Sequence, residues 1–183
     1  MWDVMNRLYG SLSYNPVPGN LREHPLTGNY TLLYSNILEV NGMPEIIRSI
    51  DIKAPPSVVW RWVASQEALR RWLSPNIEID LRVGGRYHLS EEDTRVSGTV
   101  LEMVPEGCLI LSWLEEGGDW VHPARLLIAL TATAAGTRVT LAHDGFAGIG
   151  KAGWPDTVKA YERGADRHRI LDRLAELVAV GAA

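Results

Sequence analysis

With 183 residues the chain is long enough for one domain with a substantial core and too short for two comfortable ones. Hydrophobic residues make up 46%, charged residues 22%, and the net charge is −4, with no basic run able to track a phosphate backbone, so nucleic acid is not an expected partner. The single cysteine, Cys108, excludes an internal disulfide and a metal–thiolate set, and no apolar run approaches the roughly 18 residues of a membrane span. The first ten residues lack the basic-then-apolar layout of a signal peptide, so a cytoplasmic location is expected.

Residues 1–42 mix Asn, Pro, Gly and scattered aromatics, with a breaker cluster from Tyr14 to Gly19, and read as a largely irregular N-terminal extension. Thr31–Val40 is its one strand-like stretch. Met43 stands directly before the first patterned strand and offers an alternative chain start; residues 43–183 read as the domain proper. Within it, Ile46–Lys53 is a strand stopped by Pro55 and Pro56. Ser57–Ala64 and Gln66–Leu73 are two short helices whose Trp60, Val63, Leu69 and Trp72 share an inner side. Ile77, Ile79 and Leu81 alternate with Glu78, Asp80 and Arg82, the period-two pattern of a half-buried strand. Gly84 and Gly85 turn the chain, and strands follow at Arg86–Ser90, Val96–Met103, Leu109–Glu115, Arg125–Thr133 and Thr137–His143. The short loops between them carry the expected turn residues.

The longest helix-compatible run, Pro155–Ala179, closes the chain. Its second half puts Ile170, Leu171, Leu174, Leu177 and Val178 on one side. Its first half puts Trp154, Val158, Tyr161 and Ala165 on another, so the apolar stripe breaks near Gly164. Either the helix bends there, or its first half covers a different surface. The predicted class is α+β: a curled antiparallel sheet of about seven strands around a long C-terminal helix, with two short helices after the first strand. If the curl is wide the helix cannot fill it, and the remaining space is a pocket.

Several residues are candidates to line or serve that pocket. Trp72, Tyr87, Trp113 and Tyr161 are wall aromatics, or simply core filler for a wide sheet. His143 ends the last strand on the face of Val139 and Leu141, as a ligand anchor or general base, or as a histidine capping a strand end. Glu102 alternates with Val96, Gly98 and Val100; it is inward and desolvated, or at a strand end meeting solvent or Arg86. Trp120, beside Gly117, Gly118 and Pro123, is expected on a loop as a lid or contact surface. Gly148–Gly153 reads GIGKAG, but no strand follows the next helix, so it does not make a dinucleotide site. No GxSxG occurs, and the histidines at 24, 88, 122, 143 and 168 lack zinc spacing, so no cofactor or metal is expected.

Five stretches together resemble a known family: Ser49–Trp60 as SIDIKAPPSVVW, Leu69–Trp72 as LRRW, Ile79–Gly85 as IDLRVGG, Gly98–Glu102 as GTVLE and His143–Phe146 as HDGF. They are similar to the activator-of-Hsp90-ATPase-homologue-like branch of the START-like (SRPBCC) helix-grip superfamily, over roughly Glu45–Val180. The resemblance implies the helix-grip fold, and for function it implies a set of options: lipid and hormone carriers, polyketide cyclases and a co-chaperone domain. Members of the branch often carry Gly-Trp shortly before the last leucine-rich turns, whereas here Gly153-Trp154 lies far upstream of Leu171 and Leu174, so the pocket mouth is expected to differ. Phe146, which closes HDGF, joins the candidate ligand contacts. The leading expectation is a non-catalytic domain that binds a small hydrophobic or aromatic molecule. The alternatives are a cyclase-like enzyme using His143 and Glu102, and a co-chaperone-like domain with a protein partner.

Overall fold

The computed structural model describes residues 46–91 and 94–181. The expected extension, with its strand-like Thr31–Val40, lies outside the described residues. Seven strands form one antiparallel sheet in the order β1-β7-β6-β5-β4-β3-β2, with no closure between the ends. They are β1 (Ile46–Ile52), β2 (Glu78–Ile79), β3 (Arg86–Glu91), β4 (Thr94–Val104), β5 (Cys108–Glu115), β6 (Ala124–Thr133) and β7 (Gly136–Asp144). Short hairpin connections make β3 to β7 a meander. β1 instead crosses to pair with β7, setting Ile46 opposite His143 and Ile52 opposite Thr137.

Between β1 and β2 lie α1 (Pro56–Trp60) and α2 (Gln66–Trp72). Pro55 and Pro56 end β1 and start α1 at the position where a missing N–H costs nothing. Ser65 caps α2, its side chain accepting from the Ala68 amide at 3.1 Å. Trp72, fully buried, donates its indole N–H to the Trp62 carbonyl at 2.8 Å, and Gln66 Oε1 accepts from the Ile79 amide at 2.8 Å, tying α2 to the short β2. β2 is only two residues long, and just before it the Ile77 carbonyl accepts from Arg70 Nε on α2 at 2.9 Å instead of from a neighbouring strand.

The closing segment is two helices, α3 (Trp154–His168) and α4 (Ile170–Gly181), joined at Arg169 in the left-handed conformation with φ 48°. Of the two readings of the broken stripe, different surfaces for the two halves is the one observed; the helix runs unbroken through Gly164. The chain bends, but at Arg169, five residues beyond Gly164, and the two halves cover different surfaces. From α4, buried Leu174 and Val178, with Ile170, Leu171 and Leu177 half-buried beside them, join the main core of Val59, Leu69, Trp72, Leu111, Ile128 and Val139. α3 lays Trp154, Val158 and Tyr161 on a second cluster of Ile46, Ala124, Phe146 and Ile149. Arg48 on β1 holds α3 through both oxygens of Asp166, at 2.8 and 3.1 Å.

One sheet position depends on the absence of a side chain. The Tyr87 ring crosses Gly98 on β4, and its hydroxyl donates to the Ser112 carbonyl on β5 at 2.8 Å, while the Thr99 amide turns to Ser112 Oγ at 2.8 Å. A Cβ on Gly98 would stand 2.0 Å from the Ser112 carbonyl oxygen and 2.6 Å from the Tyr87 ring. Gly98→Ala is therefore expected to destabilise the fold by about 1–3 kcal/mol through overpacking, and Tyr87→Phe by about 1 kcal/mol through a lost hydrogen bond. Urea unfolding measures both; a Gly98→Ala midpoint equal to that of the parent chain would refute this account of the glycine.

Candidate functional site

Inward-facing residues at one end of the sheet leave a gap beneath α3. The cavity measures about 340 Å³ and lies between β7, β6, β5, β4 and β3 on one side and the helix from Ala160 to Ile170 on the other. Leu89, Val96, Leu126 and Leu141 floor it; Gly164 and Ala165 roof it with too little side chain to fill the space. The polar atoms on its wall come from His143, Ser74, Tyr161, Trp113 and Glu115, with Glu91, Thr94, Arg167 and His168 at one side.

The HDGF tetrapeptide explains how His143 is held. Strand alternation turns His143 inward and Asp144 outward, where both carboxylate oxygens take N–H bonds from Arg125 on β6, at 2.9 and 2.6 Å. Gly145 then adopts φ 83°, a left-handed turn that favours glycine, and returns the chain so that Phe146 packs under the imidazole. The ring sits in an aromatic box: Phe146 at 4.6 Å between centroids, Trp113 at 5.1 Å and Tyr161 at 5.1 Å, the last two edge-on. His143 is 4% exposed, and its Nε2 is buried with no hydrogen-bond partner. Burial lowers its pKa from 6.5 to about 3, so the imidazole is neutral at ordinary pH.

Beside it runs a short relay. The Trp113 indole N–H donates to the Tyr161 hydroxyl at 3.0 Å, and that hydroxyl donates to Glu115 Oε2 at 2.6 Å. Burial, and then the bond to Glu115, hold the Tyr161 phenol well above its usual range. Both polar atoms are thus occupied. Ser74 Oγ is likewise buried without a partner, in a residue 2% exposed just after α2 that is among those lining the cavity. Every buried polar atom left unpaired costs on the order of 1–3 kcal/mol, so two such atoms in residues that line one cavity are a local cost to stability that the rest of the fold offsets.

The structure sorts the predicted site residues. His143, Trp113 and Tyr161 come together on the cavity, and Phe146 backs His143 without reaching the space itself. Trp72 is core, away from the cavity. Tyr87 is likewise buried in the main cluster, with its hydroxyl on Ser112. Of the two readings of Glu102 the solvent-facing one holds: a β-bulge between Val100 and Glu102 resets the alternation of β4, and the carboxylate is exposed, off the inner face of Val96 and Val100. It raises the neighbouring Cys108 thiol, which burial first pushes up to about 11, away from thiolate chemistry. Arg86 is also exposed. Trp120 does lie on a loop, between β5 and β6, packed edge-on against Phe146 at 5.8 Å and near Tyr161 at 6.0 Å.

Glu115 and Ser74 were not singled out from sequence. Strand alternation continued past Leu109, Leu111 and Trp113 would have put Glu115 inward; Ser74, in a turn, carries no such signal. A larger trough of about 780 Å³ runs past Arg86, His88, Ser97 and Glu116, but it is open to solvent and contains no buried unpartnered polar atom. Among the described residues no three His, Cys, Asp or Glu side chains converge to hold a metal ion, and no helix is long and apolar enough to cross a membrane.

Known proteins add the following. The family model described as Activator of Hsp90 ATPase homolog 1-like protein matches residues 53–179. Among solved structures, the chain is similar to protein MLL2253 from Mesorhizobium loti, at 19% identity and TM-score 0.61, covering 73% of this chain and 96% of that one. It is similar also to protein CV1439 from Chromobacterium violaceum, at 24% identity and TM-score 0.56, covering 73% and 95%. The Aha1 dimer from Colwellia psychrerythraea matches at 14% identity and TM-score 0.57, covering 70% and 92%. No curated protein matches the chain. These likenesses support the fold.

The buried neutral imidazole has a thermodynamic signature. Its folded pKa lies below the unfolded value of 6.5, so the unfolded chain binds the proton first. Stability tied to neutral His143 is complete above about pH 6.5 and is lost progressively as pH falls toward 3. Between pH 6.5 and 4.5 the parent chain should lose about 2 kcal/mol more than His143→Phe. Urea unfolding across that range checks it; parallel stability–pH curves for the two proteins would show that the imidazole titrates freely.

Proposed function

This chain belongs to the Activator of Hsp90 ATPase homolog 1-like protein family, and on that premise we propose that it binds a small, largely apolar molecule in the cavity between sheet and C-terminal helix, without catalysis. The observation that carries the reading is a largely apolar space of about 340 Å³ between sheet and helix, lined by Leu89, Val96, Leu126, Leu141, Trp113 and Tyr161, with His143 and Ser74 among its lining residues. Leu89, Val96, Leu126 and Leu141 supply the apolar contact, at about 0.8 kcal/mol for each methylene removed from water. Trp113 and Tyr161 are already fixed by their relay to Glu115, so little ordering cost remains when a guest arrives.

The rival readings have less support. Proton transfer shared by His143 and Glu102 requires both groups in one cavity, and Glu102 is exposed beyond the bulge. A protein-docking role needs contiguous exposed apolar surface of several hundred Å². Among the described residues, the exposed large apolar side chains, Ile47, Val83, Leu101, Val121 and Val180, come from five separate segments.

Tryptophan emission reports the proposed binding, because Trp113 lines the space. Titration with 4-bromophenol and with 1-octanol is expected to give saturable changes that vanish largely in Trp113→Phe. Val96→Trp, which fills the cavity floor, should weaken both ligands at least tenfold with an unchanged far-UV spectrum. Absence of saturation with either ligand, or undiminished affinity in a folded Val96→Trp protein, would sink the proposal.

A further inference from the structure

The sheet has two sides, and the helices lie on one of them. On the other, outer side the cross-strand register sets Ile47, Ala142, Leu127, Ile110 and Glu102 in a single row, running from β1 through β7, β6 and β5 to β4. The ends of this row look as an uncovered sheet face should: Ile47 is 40% exposed, and Glu102 is exposed. Its middle does not. Ala142, Leu127 and Ile110 are 1%, 4% and 4% exposed, Ala129 beside them is 5%, and the four form an apolar cluster of their own with Cys108 at its margin. A large aliphatic side chain on a solvated sheet face is flanked by its strand neighbours but not capped by them, so water reaches its tip. Here it does not. The polar groups of the same patch are already satisfied, Thr140 Oγ1 being hydrogen-bonded to Ser49 Oγ at 3.0 Å and Asp144 to Arg125.

No element among the described residues supplies this cap. The helices and the turn at Phe146 pack into the two clusters of the inner side, through residues such as Val59, Leu69, Leu174 and Val158. The buried residues of the outer cluster come from β5, β6 and β7 alone. The burial is that of one chain by itself, so a second copy is not its source.

Three stretches lie outside the described residues: 1–45, 92–93 and 182–183. Glu92 and Asp93 are two acidic residues between β3 and β4, and Ala182 and Ala183 follow Gly181, which abuts the Trp62 ring on the inner side. Neither pair has the apolar surface to cover the patch. Residues 1–45 do: Trp2, Met5, Leu8 and Leu12 recur at intervals of three and four, and Leu32, Leu33, Ile37, Leu38 and Val40 follow. This segment joins the sheet at Ile46, next to Ile47 in the outer row. From β1 the patch starts one strand away and ends at β5, about 14 Å across. A chain of that length spans the distance many times over.

We propose that residues 1–45 fold back over the outer side of the sheet and cap the patch of Ile110, Leu127, Ala129 and Ala142, so that they belong to the folded unit. The proposal is independent of what the cavity on the inner side binds.

Methyl NMR on the unaltered full chain, carbon-13-labelled at Ile, Leu and Val, tests it without any substitution. The Leu127 and Ile110 methyls are expected to show NOEs to protons of residues 1–45 in a uniformly labelled sample. In an equimolar mixture of labelled and unlabelled chains, filtered for contacts between molecules, those NOEs should vanish. A soluble gadolinium chelate should broaden these methyls roughly fivefold less than the methyls of Ile47 and Leu101, which are 40% and 46% exposed. Equal broadening at all four residues would show an open face and overturn the proposal. Shielded methyls with NOEs between molecules would give the patch to a second copy, and shielded methyls without any NOE to residues 1–45 would also refute it.

Discussion

A curved sheet and a straight helix cannot touch along their whole lengths, and the rest of this structure follows from that mismatch. Seven antiparallel strands twist enough to curl, and the closing segment meets the concave side in two pieces, α3 and α4, set at different angles by the left-handed residue Arg169. α4 drops into the main core through Leu174 and Val178 and fills its share of the hollow. α3 is held higher, by Trp154, Val158 and Tyr161 on the Phe146 cluster and by the Arg48–Asp166 pair at the sheet edge. Gly164 and Ala165 face the gap with almost no side chain to close it.

The hollow would be an ordinary packing fault if its wall were apolar throughout. Instead, His143 stands in it, and the fold holds this residue tightly: Asp144 is clamped to Arg125 on the other face, Gly145 makes the turn, and Phe146 returns beneath the ring. Three aromatic rings surround the imidazole and none offers its Nε2 a partner. Holding an unpaired nitrogen in so ordered a setting costs stability, and such costs concentrate where a structure receives something from outside.

How much of this was legible in the sequence depended on the kind of signal. The strands, the two short helices and the closing helix announce themselves through period-two and helical spacing, and the stripe broken near Gly164 foretold a closing segment in two parts. Its actual joint, at Arg169, was hidden because a non-glycine residue in a left-handed conformation leaves no mark in composition. The direction of Glu102 was left open for a related reason. Alternation along β4 assigns it inward, but one inserted bulge residue reverses every later side chain. Trp72 and Tyr87 could not be told from wall aromatics, since a ring buried in a core and a ring lining a cavity have the same spacing. Ser74 becomes visible only once the strands it lies beside are assembled.

The most direct measurement is a crystal structure grown with 4-bromophenol, with the bromine located from its anomalous scattering. The account predicts one strong bromine peak beneath Gly164 and Ala165, with the phenol oxygen within hydrogen-bonding distance of His143 Nε2 or Ser74 Oγ. A space closed by α3 settling onto Leu126 and Leu141, or bromine bound only on the outer surface, would contradict it.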